Sequence, residues 1–394
     1  MDTMTFCVPC LFGLEGLVGD ELRRLDLQNV RVEDRRVFFE GDFAAMAKAN
    51  LCCRMGERVM ILLAEFDAHS FEDLFQGVKA VPLERFIPKN GAFPVKGYSL
   101  NSQLHSVPDC QAIVKKAAVT RLGEKYGLGW LPETGETYQL RFSIMKDHVE
   151  LFLDTSGVSL HKRGYRREAN LAPLHETMAA AMVNLARYRG RDFFWDPFCG
   201  SGTICIEAAM IALNRAPGLN RSFMAQKWSC VPETVWQQAR TEALDREYRG
   251  EYHILGSDID AASLEIAQQN ARKAGVGKLI EFREADATKM SLPADKGLIV
   301  CNPPYLTEVD MQQLQPEVAF EPETALYGGA DGLDFYRSIS ANWSIALRKS
   351  GWLVYEIGKG QEQDVAAILR QQGFSQIIQQ MDGNGIVRVV AGQK

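Results

Sequence analysis

The chain has 394 residues, 46% of them hydrophobic and 24% charged, an ordinary globular composition that excludes disordered, collagen-like and coiled-coil readings. Its 44 basic and 50 acidic residues leave a net charge of -6, divided 22 to 23 up to Asn170 and 22 to 27 beyond it. Neither part is a polycation, so bulk charge does not hold nucleic acid and any RNA contact must come from local patches.

Length alone favours two or three domains. Residues 1–60 read as strand, helix, strand, helix: a short apolar strand at 6–9, leucines 14, 17, 22 and 25 at near-helical spacing, and an alternating strand over 30–39. Residues 61–165 continue with a strand at 60–66, a helix from about Ser70, an apolar strand around Phe93, a helix over 109–126 and alternating strands at 138–144 and 149–154. Strands and helices intermixed in this way suggest small α+β units. From Pro173 the texture changes. A helix at 176–187 leads to a strand at 193–196, a glycine-rich turn and a helix at 203–213. Strand and helix then alternate through 254–258, 262–274, 279–284, 298–302, 334–347, 352–357 and 362–372, with closing strands near Ile377 and at 386–390. That alternation predicts an α/β, mostly parallel, doubly wound sheet, with a boundary near 167–173.

No run reaches the roughly 18 apolar residues of a membrane span, and the opening MDTMTFCVPC lacks the basic and apolar regions of a signal peptide. Nine cysteines, an odd number in a chain too large to need a disulfide framework, predict reduced thiols and a cytoplasmic enzyme. Cys7 and Cys10 are spaced C-x-x-C, but no second pair or nearby histidine completes a zinc set, so no metal is expected.

Two constellations carry chemistry. DPFCGSGT, Asp196 to Thr203, lies between an apolar strand and an apolar helix. Gly200 and Gly202 let the backbone turn sharply and approach a ligand, at the strand end where doubly wound sheets bind theirs. A tight strand-to-helix turn would use the same glycines. Asp258 in GSDID and Asp286 in EADAT end the next two strands. Each acid alone is well explained as a turn former or helix cap, but three at successive strand ends are not. NPPY, Asn302 to Tyr305, ends the fourth strand of this part. Its prolines remove two donors and leave carbonyls to face a ligand. The Asn302 amide oxygen and a neighbouring carbonyl can accept both hydrogens of a planar NH2 group, on which Tyr305 could stack. The bland alternative is a proline-stiffened turn with an aromatic anchor.

DPFCGSGT, GSDID and NPPY, in this order and spacing, resemble class I S-adenosylmethionine-dependent N-methyltransferases, whose domain is a Rossmann-like doubly wound sheet. The resemblance implies a cofactor lining of Asp196, Phe198, Cys199, Gly200, Ser201, Gly202 and Thr203 around the methionine part, Asp258 and Ile259 at the ribose, and Asp286 and Ala287 near the adenine, closed by Asn302. It also implies that Asn302, Pro303, Pro304 and Tyr305 hold the target nitrogen. From residue 1 to about 300 the chain is similar to bacterial large-subunit rRNA guanine-N2 methyltransferases with a THUMP domain, on LFGLEGLVGDEL (11–22), LDTSGVSLHKRGYR (153–166), APLHET (172–177), DPFCGSGTICIEAAMIA (196–212) and NRAPGLNR (214–221). This implies a ferredoxin-like domain over 1–60, a THUMP RNA-binding domain over 61–167 and the methyltransferase domain over 168–394. Lys162, Arg163, Tyr165, Arg166 and Arg167 form a compact basic patch with one aromatic, suited to phosphates; a solvated linker would have the same composition.

Beyond Asn302 the match changes. That family continues NPPY with Gly-Glu-Arg, where this chain has Leu306-Thr307-Glu308. Residues 316–339 and 351–361 instead resemble release-factor glutamine methyltransferases, which modify a glutamine side-chain amide. The chain thus reads as a hybrid, recombined or engineered, whose halves can close one sheet because both families share the fold. The leading expectation is methylation of guanine N2 in large-subunit rRNA. The alternatives are a protein glutamine N5-methyltransferase acting on a release factor, and a non-catalytic RNA-binding protein. An adenine-N6 DNA enzyme fits NPPY but finds no support in the N-terminal half.

Overall fold

A computed structural model describes residues 3–166, 174–290, 297–314, 322–345, 347–382 and 385–394. Arg167 and the expected boundary stretch, 167–173, lie outside them. The chain divides into two units, one of Met1–Cys10, Gly19–Leu160 and Arg221–Glu242, the other of Leu11–Val18, His161–Asn220 and Ala243–Lys394.

The first unit is built on strands β1 (Met4–Pro9), β2 (Gln28–Glu33), β3 (Arg36–Gly41), β4 (Met60–Asp67), β5 (Val95–Leu100), β6 (Leu140–Met145) and β7 (His148–Asp154). They form one sheet in the order β2-β3-β1-β4-β7-β6-β5, in which β5 and β6 run parallel and the other pairs antiparallel. The strand expected over 30–39 is a hairpin. Asp34 and Arg35 make its turn, with Arg35 left-handed at φ 61°, and β2 and β3 pair back across it. Period-2 alternation is the same on both arms of a short hairpin, so the pattern alone did not mark the turn. The strand expected around Phe93 starts two residues later, after Pro94, which has no N–H to give a ladder. Between the strands run α1 (Glu15–Arg24), of which Gly19–Arg24 belong to this unit, α2 (Phe43–Cys52), α3 (Phe71–Ala80) and α4 (Val107–Tyr126). Asp42 caps α2, a Ser70–Asp73 capping box starts α3, and Gly127 in the left-handed region ends α4, each satisfying backbone groups that a helix end leaves open. The returning segment 221–242 joins this unit through Trp228, which donates to the Thr137 carbonyl at 2.9 Å and stacks on Tyr138 at 5.0 Å.

The second unit contains α5 (Glu176–Leu185), β8 (Phe194–Asp196) and α6 (Thr203–Leu213); α7 (Glu233–Asp245) follows, mostly within the first unit. The chain continues through β9 (Ile254–Asp258), α8 (Ala261–Ala274), β10 (Ile280–Glu284), β11 (Leu298–Cys301), α9 (Glu308–Met311), α10 (Glu323–Leu326), α11 (Asp334–Trp343), β12 (Trp352–Glu356), α12 (Glu362–Gln371), β13 (Ser375–Met381) and β14 (Val387–Gln393). The seven strands order as β10-β9-β8-β11-β12-β14-β13. β8 to β12 run parallel to one another, and β14 lies antiparallel between β12 and β13. This is the expected doubly wound sheet, and strands from before and after residue 302 do close it together.

The pattern follows from burial on both faces. Phe194, Ile254, Leu298, Val300, Trp352, Val354 and Val389 pack to one side with α5, α6 and α8. Their neighbours Trp195, Leu255, Ile299, Cys301, Leu353, Tyr355 and Val390 pack to the other with α11 and α12. Alternate residues point to opposite faces, so strands covered on both sides read as unbroken apolar runs. No helix among the described residues is long and apolar enough to cross a membrane.

Candidate active site

Strand order reverses between β8 and β11, and the carboxyl ends of these strands open the crevice in which doubly wound sheets take ligands. Asp196 ends β8, Asp258 ends β9, and Asn302 follows β11 directly. The loop after Asp196 is tied to β9, because Cys199 N–H donates to the Ser257 carbonyl at 2.9 Å and Gly200 N–H to Asp258 Oδ2 at 2.8 Å. Gly200 and Gly202 both lie in the left-handed region, at φ 48° and 84°. A β-carbon on Gly202 would sit 3.0 Å from that of Ala267 on α8, whereas one on Gly200 would meet nothing within 4 Å. The turn is therefore packed behind and open in front.

Asp196 is fully buried. Its Oδ1 accepts from Phe198 N–H at 3.1 Å, and its Oδ2 has no partner among the described residues. Burial, with the Asp258 charge adding to it, pushes this carboxyl well above the usual range. A buried carboxylate oxygen with open lone pairs calls for a donor, best a cationic one. Asp258 accepts from Gly200 and, on Oδ1, from Asp260 N–H at 3.0 Å; burial raises its pKa against those bonds. Each carboxylate oxygen has two lone pairs, so it retains acceptor capacity. Asp286 differs. Lys289 at 2.7 Å and Thr288 hold it down at a pKa of about 2, and it is partly exposed. Ile259 is 61% exposed beside Asp258, while Ala287 is buried. Phe198 meets Phe335 edge-to-face at 5.2 Å, and the Ser201 carbonyl accepts from Asn270 at 3.1 Å. Cys199 is buried and its thiol pushed well up by desolvation, which leaves it protonated and unsuited to nucleophilic attack.

Asn302 is half-buried and makes no side-chain hydrogen bond among the described residues. Pro303 and Pro304 are buried and Tyr305 half-buried. The turn is braced from the C-terminal part: Leu306 N–H donates to the Leu326 carbonyl, Gly328 N–H to the Leu306 carbonyl, both at 2.9 Å, and Gln361 Nε2 to the Tyr305 carbonyl at 3.0 Å. One residue past the registered pair Cys301–Tyr355 lies Glu356, which burial, against the pull of Arg388, pushes up to a pKa of about 7. Neither Gln361 nor Glu356 stood out in the sequence: a glutamine opening a helix has no local signal, and Glu356 ends β12, outside the run of acids at the first three strand ends.

Glu356 makes stability depend on pH. Its folded pKa exceeds the ordinary 4.5, so between those values the folded state holds more protons and stability falls as pH rises. Glu356→Gln should remove a loss of roughly 3 kcal/mol. Urea unfolding of both proteins at pH 4.5 and pH 8 checks this: the gap should widen in favour of the variant at pH 8, and parallel curves would refute it.

The basic stretch read as a phosphate patch is largely an internal fastening. Arg163 is 2% exposed and Tyr165 1%, so neither can meet a phosphate. Arg163 Nε and Nη2 donate to the two carboxylate oxygens of Glu207 on α6, at 3.2 and 3.4 Å. Arg166 turns inward to Thr203 Oγ1 and to the Leu174 carbonyl at 3.3 Å, with Glu176 at 3.7 Å. Lys162 is exposed, and Arg167 lies outside the described residues. A buried guanidinium needs a counter-charge, and Glu207 supplies it. His175, at the N-cap of α5, stacks on His161 at 4.5 Å.

Three family models match the chain: an RlmL ferredoxin-like domain over residues 5–60, a THUMP domain over 68–154, and an RMKL-like methyltransferase domain over 163–318. A Bacillus subtilis protein named "Putative RNA methyltransferase YpsC" is 42% identical over 331 residues, 82% of this chain and 86% of that one. The crystal structure of a "predicted N6-adenine-specific DNA methylase" from Listeria monocytogenes is 39% identical with a TM-score of 0.86, covering 100% of this chain and 96% of that one. That of SMU.472, "a putative methyltransferase complexed with SAH", is 32% identical with a TM-score of 0.86, covering 100% and 98%.

Proposed function

This chain belongs to the RMKL-like methyltransferases that carry a ferredoxin-like and a THUMP domain, and we propose that it methylates an exocyclic amine of a base in RNA, specifically guanine N2 of large-subunit rRNA, in the cytoplasm. The observation that carries this reading is the carboxamide of Asn302, which makes no hydrogen bond among the described residues and stands at the end of β11 beside the glycine turn that follows β8. The THUMP domain of the same chain favours RNA as the acceptor.

S-adenosylmethionine fits the turn: the buried oxygen of Asp196 that has no partner among the described residues suits its ammonium, the open face of Gly200 admits its backbone, and Asp258 has lone pairs for its ribose hydroxyls. Phe198, Cys199, Ser201, Gly202, Thr203, Ile259, Asp286 and Ala287 complete the proposed lining. When bound, it supplies an electrophilic methyl on a sulfonium that needs no acid to leave. The rest falls to the chain. Asn302 Oδ1 and the Pro303 carbonyl accept both amine hydrogens and aim the nitrogen lone pair. Pro303 and Pro304 bring no N–H to compete for those acceptors. The amide dipole favours positive charge growing on nitrogen, and the Tyr305 ring faces a base already taken out of its stack. Holding these groups aligned can supply roughly 7–11 kcal/mol of the barrier.

Asp258→Ala removes the carboxylate that tethers Gly200 and is assigned the ribose. Losing charged hydrogen bonds costs about 1.5–3 kcal/mol, so cofactor affinity should fall about tenfold or more. Calorimetric titration of S-adenosylmethionine measures it, and unchanged affinity would remove Asp258 from the site.

One observation favours a second reading, transfer to a glutamine amide of a release factor. The residues that buttress the 302–305 turn, among them Gly328 and Gln361, lie in the segments resembling enzymes of that kind. The test offers the purified protein radiolabelled S-adenosylmethionine with unmodified large-subunit rRNA, with a release factor, and with DNA. Label in rRNA supports the proposal, and label in the release factor installs the second reading. Label in DNA alone assigns adenine N6, and label in none leaves an RNA-binding protein without turnover.

A further inference from the structure

We propose that Gln361 is a positioning residue for methyl transfer, fixing the 302–305 turn and through it the aim of Asn302; this rests on the reading that Asn302 holds the target amine. Gln361 stands at the N-cap of α12, yet its side chain makes no capping bond there. It reaches away from the helix. Oε1 accepts from Gly358 N–H at 2.9 Å, and Nε2 donates to the Tyr305 carbonyl at 3.0 Å and to the Gly332 carbonyl at 3.2 Å. Both amide hydrogens are used, and the partners lie 3, 56 and 29 residues away. One carboxamide thus joins the end of NPPY to the turn before α11 and the turn after β12. Gly332 makes room for it, since a β-carbon there would lie 2.4 Å from the Tyr305 oxygen and 2.6 Å from Gln361 Nε2.

The stiffness between the two ends makes this matter. Pro303 and Pro304 have fixed φ, and Asn302 and Pro303 each precede a proline, which confines them to extended backbone. The turn is therefore a short rigid lever, with Asn302 on one end and the Tyr305 carbonyl, held by Gln361, on the other.

Gln361→Glu keeps the shape and the acceptor but loses both donors when ionised, placing a carboxylate against two carbonyl oxygens. Protonation restores one donor. On the acceptor labelled by wild type, kcat at pH 8 should fall ten- to a hundredfold, the cost of a misplacement near 1 Å, with cofactor affinity within about twofold of wild type. The deficit relative to wild type should shrink as pH falls to 6; wild type titrated in parallel removes the effect of Glu356. Gln361→Met, which has no donor in any protonation state, should show the same loss without recovery, and it keeps the test alive if the glutamate variant does not fold. Hydrogen exchange at the Leu306 amide reads the turn without any acceptor and should be faster in both variants. Wild-type exchange at Leu306, or wild-type kcat at pH 8, overturns the proposal, as does a loss of cofactor affinity equal to that of kcat. Asn302→Ala assayed alongside separates the two failures. If it stays active, the reading of Asn302 fails; if it is inactive while Gln361→Glu is normal, only the role of Gln361 fails.

Discussion

Asn302→Ala is expected to lower turnover roughly 10²- to 10³-fold, the usual cost of removing one preorganised polar group from a transition state, while leaving cofactor affinity within about twofold. The asymmetry follows from where the side chain stands. Asn302 comes after β11 and makes no side-chain hydrogen bond among the described residues, so truncation breaks none of the hydrogen bonds described there. The glycine turn is held by Ser257 and Asp258 on β9 instead, and those bonds survive the substitution. In the proposed reading, what is lost is the acceptor that orients the amine and favours its developing charge. Single-turnover rates under saturating cofactor isolate that step, and calorimetry gives the affinity. If both fall together, Asn302 belongs to cofactor binding and the acceptor is held by another group. Asn302→Asp discriminates further, since it keeps an acceptor oxygen at the same reach and should retain more turnover than alanine.

The second sheet was legible because its physics is periodic. Strands buried on both faces appear as apolar runs, α8, α11 and α12 carry an apolar stripe while α6 is buried almost all round, and Asp196 and Asp258 end β8 and β9; the expected 203–213 helix and 254–258 strand coincide with α6 and β9. The order of the last strands was not legible, because insertion of β14 between β12 and β13 is settled by packing and leaves no trace in local pattern. Neither was α7, whose Trp236 stacks on Phe223 at 5.2 Å: residues 221–242 pack with the first unit although both sequence neighbours belong to the second. The site divides the same way. Asp196, Gly200, Gly202, Asp258 and Asn302 announce themselves by residue type and place on a strand end. Gln361 does not, because its partners are fixed by the closed sheet, and a glutamine in isolation has no preferred task. Charge runs mislead for the same reason: the stretch from Lys162 to Arg166 has the composition of a surface patch, and only the position of Glu207, 44 residues on from Arg163, turns its second member inward.

That reversal sets the other large expected effect. Arg163→Met should destabilise the protein by about 3–5 kcal/mol, the cost of stranding one partner of a buried ion pair. Arg163 is 2% exposed and Glu207 fully buried, and two of the guanidinium nitrogens meet both carboxylate oxygens, so removing the cation leaves an anion with no water to solvate it. Urea unfolding followed by circular dichroism measures the loss. The double variant Arg163→Met, Glu207→Leu should recover most of it, because apolar groups of similar volume often replace a buried pair at little net cost, and the coupling between the two sites is the difference that a double-mutant cycle reports. A phosphate-contacting arginine behaves in the opposite way: its loss leaves stability unchanged, weakens RNA binding and flattens the salt dependence, and no change at residue 207 restores it. Unfolding curves and RNA titrations at two salt concentrations therefore separate the readings. A stable Arg163→Met protein with reduced RNA affinity would return this residue to the RNA surface, whereas a destabilised one rescued by Glu207→Leu makes it the fastening of residues 161–166 to α6.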